Sequence, residues 1–211
     1  MTLQGTIQAE VKSLAKFSIS GRLAAINCRL GDQVKKGQVL AVLESIELQA
    51  YLDRALKQYD RQRAEFDEQQ KQNLSEYDKR RSQDELDISV KNVEIAKCNL
   101  NATQLTASIG GLVVEMDAAA AGDNITPAGF VIILIDPTSF YFEALLPEEN
   151  LNQVTLGQAA KISLKAFSGQ AFDGQIEQVN PLLIKNNYFS LQIKLSVVDN
   201  LRLGLTGTAE I

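Results

Sequence analysis

The sequence predicts a mainly β protein with a long α-helical coiled-coil hairpin. The hairpin divides a flattened β-domain into two halves, and an antiparallel β-barrel follows. Three observations predict this. A pattern of Gly, strand, Gly-Asp, polar turn, Gly, strand and acid occurs twice, at 21 to 44 and at 111 to 136. The stretch between the copies contains no Gly or Pro from 38 to 109 and places apolar residues at alternating steps of four and three. Beyond Pro137 the sequence alternates apolar and polar residues in short runs separated by Gly and Asn.

Residues 1–20 are expected to supply a strand that joins the barrel. Residues 21–46 form the first half of the split domain, "GRLAAINCRLGDQVKKGQVLAVLE", and 105–137 form the second, containing "GLVVEMDAAAAGDNITPAGFVIILID". Gly31-Asp32 matches Gly122-Asp123 and Gly37 matches Gly129, each glycine suiting a tight turn with positive φ. Two such β-rich halves can clasp face to face.

Residues 47–104 form the hairpin. The first seam is Leu48, Leu52, Ala55, Tyr59, Gln62 and Phe66; the second is Leu86, Val90, Val93, Lys97 and Leu100. Helices of about 27 residues would each run roughly 40 Å. The tip falls near 70–76, where Ser75 is a good N-cap, with Glu76 and Asp78 in the first turn. Residues 138–211 form the barrel, with strands in "FYFEALLP", "QAAKISLKAF", "AFDGQIEQVN", "YFSLQIKLSVV" and "LGLTGTAEI". A short helix begins at Pro147 in "PEENLNQV".

Composition narrows the function. A net charge of −5 without a basic stripe argues against nucleic acid as a partner. The sequence has no histidine, so the commonest metal ligand and the usual neutral-pH base are missing. Cys28 and Cys98 are far apart in sequence and read as two small buried residues, with a disulfide the lesser alternative. Glu148 and Glu149 stand side by side at a helix start, where the dipole explains them. No catalytic, cofactor or metal site is predicted. No apolar run reaches the ~20 residues of a membrane span. The start "MTLQGTIQAE" lacks the basic and apolar regions of a signal peptide.

The stretch "GDQVKKGQVLAVLESIEL" resembles the lipoyl/biotinyl-like domains that present a modified lysine at a hairpin tip. Laid on their "EAMKM" pattern, "ESIEL" puts Glu47 where the lysine stands, and glutamate cannot form the amide to biotin or lipoate. A carrier role is therefore disfavoured. Taken with "NLNATQLTASIGGLVVEMDAAAAGDNITPAGFVIILID", "LGQAAKISLKAFSGQAFDGQIEQVNP" and "LRLGLTGTAEI", the chain resembles the periplasmic adaptor family. Its members are also called membrane fusion proteins and are similar to haemolysin-secretion adaptors. The resemblance favours the resistance-nodulation-division type.

The resemblance implies a non-catalytic adaptor that joins an inner-membrane transporter to an outer-membrane channel and self-associates as a hexamer or a trimer of dimers. A type I secretion adaptor and a plain coiled-coil scaffold are the alternatives. It also implies a periplasmic location, tethered to the inner membrane by a segment outside this chain, and a membrane-proximal domain that this chain would lack. Channel docking falls at the hairpin tip, on Arg63, Leu74, Ser75 and Tyr77. Arg61 is a second arginine candidate, and Glu68 stands near the place of the family's middle leucine. Adaptors of copper and silver systems tend to bring methionine ligands. With only Met1 and Met116 present, no metal handover is expected here.

Overall fold

The computed structural model describes residues 1–72, 75–127, 129–167, 169–184, 187–195 and 201–211. The chain opens with β1 (Thr2–Ala9), β2 (Lys12–Lys16), β3 (Gly21–Ile26), β4 (Gln33–Val34) and β5 (Val39–Leu43). The helices α1 (Ile46–Gln70) and α2 (Glu76–Asn101) follow. Then come β6 (Gln104–Thr106), β7 (Gly111–Met116), β8 (Asn124–Ile125) and β9 (Val131–Ile135). The last strands are β10 (Phe140–Pro147), β11 (Ala159–Leu164), β12 (Ala171–Ile184), β13 (Tyr188–Leu195) and β14 (Thr206–Glu210). Two compact units result: Met1–Ser13 with Ile109–Leu112 and Leu134–Ile211, and Leu14–Ser108 with Val113–Ile133.

The repeat becomes a sandwich of two four-stranded sheets, β2-β9-β7-β4 and β6-β5-β3-β8. The halves clasp through matching backbone bonds. The N–H of Gly31 donates to the Val113 carbonyl (2.9 Å), and that of Gly122 to the Leu23 carbonyl (2.7 Å). The returning bonds are Val113 N–H to Asp32 (2.9 Å) and Leu23 N–H to Asp123 (2.8 Å). Each Gly-Asp turn is closed by its own carboxylate: Asp32 accepts from Arg29 N–H and Asp123 from Ala120 N–H, both at 2.8 Å. Positive φ occurs at Gly31, Gly37 and Gly122 but not at Gly129, so the last pairing is a match of sequence rather than of conformation. The core uses equivalent positions, Leu23 with Val113, Val34 with Ile125 and Leu40 with Ile132, all buried. Each such side chain contributes about 1.5–3 kcal/mol through burial.

The first unit holds a closed six-stranded barrel, β1-β10-β13-β12-β11-β14. Alternation along β10 sends Phe142, Ala144 and Leu146 inward, where they meet Ile7, Ile162, Ile176, Leu191 and Ile193. The segment after Pro147 is a 3-10 turn over Glu148–Gln153 rather than an α-helix, because Val154 already returns to extended backbone.

Two expectations change. Of residues 1–20, Thr2–Ala9 enters the barrel, but Lys12–Lys16 pairs in the β2-β9-β7-β4 sheet. The repeat explains why: β2 and β6 occupy equivalent places, and "FSISG" at 17 to 21 answers "ASIGG" at 107 to 111. The cysteines also diverge. Cys28 is buried, whereas Cys98 is exposed on α2, and neither forms a disulfide.

Candidate docking site on the helical hairpin

The hairpin extends the tip of a β-hairpin. Strands β5 and β6 pair antiparallel, with Val42 opposite Gln104, and α1 and α2 continue from their ends. Glu47 therefore lies in the first turn of α1 as an exposed side chain. At this root Arg22 bridges three segments. Its Nε donates to the Gly122 carbonyl at 3.1 Å, its Nη1 lies 3.5 Å from Glu44 Oε1, and its own carbonyl accepts from Glu44 N–H at 2.8 Å. An open cleft of about 730 Å³ borders these groups, lined in part by Gly21, Glu47, Leu48 and Asn99.

Along α1 the half-buried or buried positions are Leu48, Leu52, Ala55, Tyr59, Gln62, Phe66 and Gln69, the expected seam extended by one step. On α2 the seam runs Lys79, Ser82, Leu86, Ser89, Val93, Ala96 and Leu100. Lys97, expected in the seam, is exposed, because the phase shifts by one residue so that Ser82, Ser89 and Ala96 face inward. Small side chains seven apart let the helices approach, and the bulk between them comes from Leu86, Val93 and Leu100 on α2 as well as from Leu48, Leu52, Tyr59 and Phe66 on α1. Towards the tip the seam is polar: Ser82 Oγ donates to Gln69 Oε1, and Gln62 donates to Glu85 at 3.3 Å.

Ser75 caps α2. Its backbone is extended, Asp78 N–H donates to its Oγ at 3.2 Å, and that hydroxyl donates to Asp78 Oδ2 at 2.5 Å. Tyr77 is 76% exposed in the same turn. Leu74 lies outside the described residues. Arg63 sits seven residues before the end of α1, about 10 Å back along the helix, and not beside Ser75. It donates to Tyr59 Oη at 2.9 Å; that bond, with the charges of Asp67 and Asp60, raises its pKa above the ordinary value, so it stays cationic. Arg61 and Glu68 are exposed on α1.

The polar run "QQKQNLSEYDKRRSQDE" at 69 to 85 is read from the sequence as a wet, charged tip, and the structure gathers six of its side chains around one cleft. Gln69, Gln72, Asp78, Arg81, Ser82 and Glu85 line an open cleft of about 360 Å³ at the tip. The seven-residue recurrence of Ser82, Ser89 and Ala96 was the available signal for its inner wall. Among the described residues no group of three or more His, Cys, Asp or Glu could hold a metal ion, and no helix is long and apolar enough to cross a membrane. What the tip offers chemically is a wet, charged surface for reversible contact.

Comparison with known proteins gives two family matches in tandem. Residues 15–136 match the family described as "CzcB-like, barrel-sandwich hybrid domain", and residues 141–206 match "CusB-like, beta-barrel domain". The chain is 29% identical over 184 residues to the cation efflux system protein CzcB of Alcaligenes sp. (strain CT14), covering 78% of this chain and 35% of that protein. The cobalt-zinc-cadmium resistance protein CzcB of Cupriavidus metallidurans gives the same identity and coverage. The chain thus spans about a third of the length of these relatives. Among solved structures, a MacA-MexA chimeric protein containing the Pseudomonas aeruginosa MexA alpha-hairpin domain shares the fold. Its TM-score is 0.89 at 20% identity, over 99% of this chain and 79% of that one.

Proposed function

From the premise that the chain belongs to the CzcB-like barrel-sandwich hybrid family, we propose that it is a periplasmic adaptor of a tripartite efflux pump. It links an inner-membrane transporter to an outer-membrane channel, is held at the inner membrane, and self-associates around the conduit as a hexamer or a trimer of dimers. The observation that carries this reading is the hairpin root. Where a swinging-arm carrier presents its lysine, this chain has Glu47 and a 25-residue helix. A fold built to present one reactive group presents a contact surface instead, which suits a connector rather than a catalyst.

The tip, with Arg63, Leu74, Ser75 and Tyr77, meets the channel, and the barrel works on the transporter side. The names of the curated relatives favour divalent cations as the cargo.

The test is photo-crosslinking in the native cell, with a probe at Ser75 and a control probe at Lys165 in the barrel unit. Capture of an outer-membrane channel from Ser75 and not from Lys165 is expected. Capture of only another copy of this chain, or of nothing, would remove the docking role and favour a scaffold.

A further inference from the structure

The two helices of the hairpin are held together differently along their length. In the half nearest the root, Leu48, Leu52, Val93 and Leu100 are half-buried and Ala55 and Ala96 are buried, so apolar burial joins α1 to α2. In the outer half the seam is Gln62, Phe66 and Gln69 on α1 with Lys79, Ser82 and Leu86 on α2. Among the described residues two side-chain bonds cross between the helices, Gln62 to Glu85 and Ser82 to Gln69, and both lie in this outer half. The bond from Gln62 is long, at 3.3 Å, and exposed to water that competes for both partners.

Each outer helix, by contrast, is supported from within. Arg63 donates to Tyr59, Arg81 to Glu85, Gln83 to Asp87 and Lys79 to Glu76, every pair three or four residues apart on one helix. These bonds survive if α1 and α2 part, and parting uncovers only Phe66 and Leu86 among the large apolar side chains of the outer seam. The seam is also unfilled at its end, where side chains of both helices border the cleft of about 360 Å³.

We infer that the outer hairpin is a jaw. It opens by separating the helices beyond the level of Tyr59 and Ser89 while each stays helical, and the open form admits a polar segment of the channel between them. The parted faces offer the amides of Gln62 and Gln69, the Ser82 hydroxyl and the Lys79 ammonium. Such groups exchange bonds with water or with a polar partner at little net cost, whereas an apolar seam would have to be uncovered against the hydrophobic effect. The opening rests on the seam alone; its use in docking rests on the adaptor reading.

The test places spin labels in pairs on a chain carrying Cys98→Ser, Cys28 being buried. One pair, at Glu68 and Gln83, flanks the contact of Gln69 with Ser82. The other, at Arg54 and Lys97, stands beside Ala55 and Ala96, and all four labelled positions are exposed. The inner pair should give one distance and the tip pair two, the longer one removed by Gln62→Leu with Gln69→Leu, which makes the seam apolar. Circular dichroism confirms that each variant is helical. Amides from Phe66 to Gln69 and from Ser82 to Glu85 should stay protected from hydrogen exchange, because the helices part without unwinding. For docking, Gln69→Cys with Ser82→Cys closes the jaw through a disulfide. Oxidised, that chain should lose channel capture from the Ser75 probe; reduced, it should regain it. A single tip distance, fast exchange at those amides, capture by the oxidised form or none by the reduced form overturns the proposal. The distances are read without a partner, so their failure is distinguishable from failure of the adaptor reading, which shows as no channel capture by the wild-type chain.

Discussion

Ser75 satisfies a backbone donor at the start of α2, and the docking role proposed for it has to be separated chemically from that cap. Removing the hydroxyl orphans the Asp78 N–H. Ser75→Ala should cost about 1 kcal/mol of hairpin stability, whereas Ser75→Asn, an equally good cap, should cost a few tenths at most. Hydrogen exchange at the amides of Glu76 to Asp78 reads the cap directly. If channel capture falls for both substitutions, the hydroxyl itself is recognised; if it falls only for alanine, the cap is what matters. Glycines show the same dependence on local demand. Gly111 needs the absence of a side chain because a Cβ would overlap the Ile135 carbonyl. Gly31 has open space around it and is held to glycine by its φ of 89°.

At the level of the element, the hairpin is stabilised unevenly. Near the root, Ala55 and Ala96 close against larger neighbours, whereas Gln62, Gln69, Ser82 and Ser89 occupy the outer seam, where burial contributes little. The one-residue shift in phase is directly testable. Ala96→Leu forces extra volume between the helices and should destabilise by about 1–3 kcal/mol. Lys97→Leu changes an exposed site and should stay within about 0.5 kcal/mol. Urea unfolding followed by helical dichroism checks both, and equal effects would return Lys97 to the seam. The error in the sequence reading lies at Lys97, placed in the seam by spacing alone, whereas Val90 is half-buried like Leu86 and Val93. Leu86, Val93 and Leu100 carry the hydrophobic signal of that seam, whereas Ser82, Ser89 and Ala96 give almost none, because small residues act there by letting the backbones approach.

On the scale of the molecule, closure of the barrel depends on β1, which pairs with both β10 and β14. Its loss would leave two unpaired edges and uncover the core around Phe142 and Ile162. Deleting residues 1–9 should therefore abolish the barrel's thermal transition while the sandwich and hairpin retain theirs. Calorimetry with helical dichroism distinguishes that outcome from a single shared transition, which would show that the two units unfold together.

The sequence by itself determined the repeat, the site of the insertion, the loss of the modified lysine at Glu47, the first helical seam and the strands of the barrel. Each is written in local signals: Gly-Asp turns, alternation of period two, heptad spacing and the identity of one residue. Tertiary structure alone decided the rest. It placed Lys12–Lys16 in the sandwich, because strand pairing is a long-range choice that a five-residue run cannot declare. It set the phase of α2, because that depends on how closely α1 approaches. It drew Gln69, Ser82, Arg81 and Glu85 together at the tip, because proximity across an antiparallel turn is fixed by the register of two helices rather than by spacing along one.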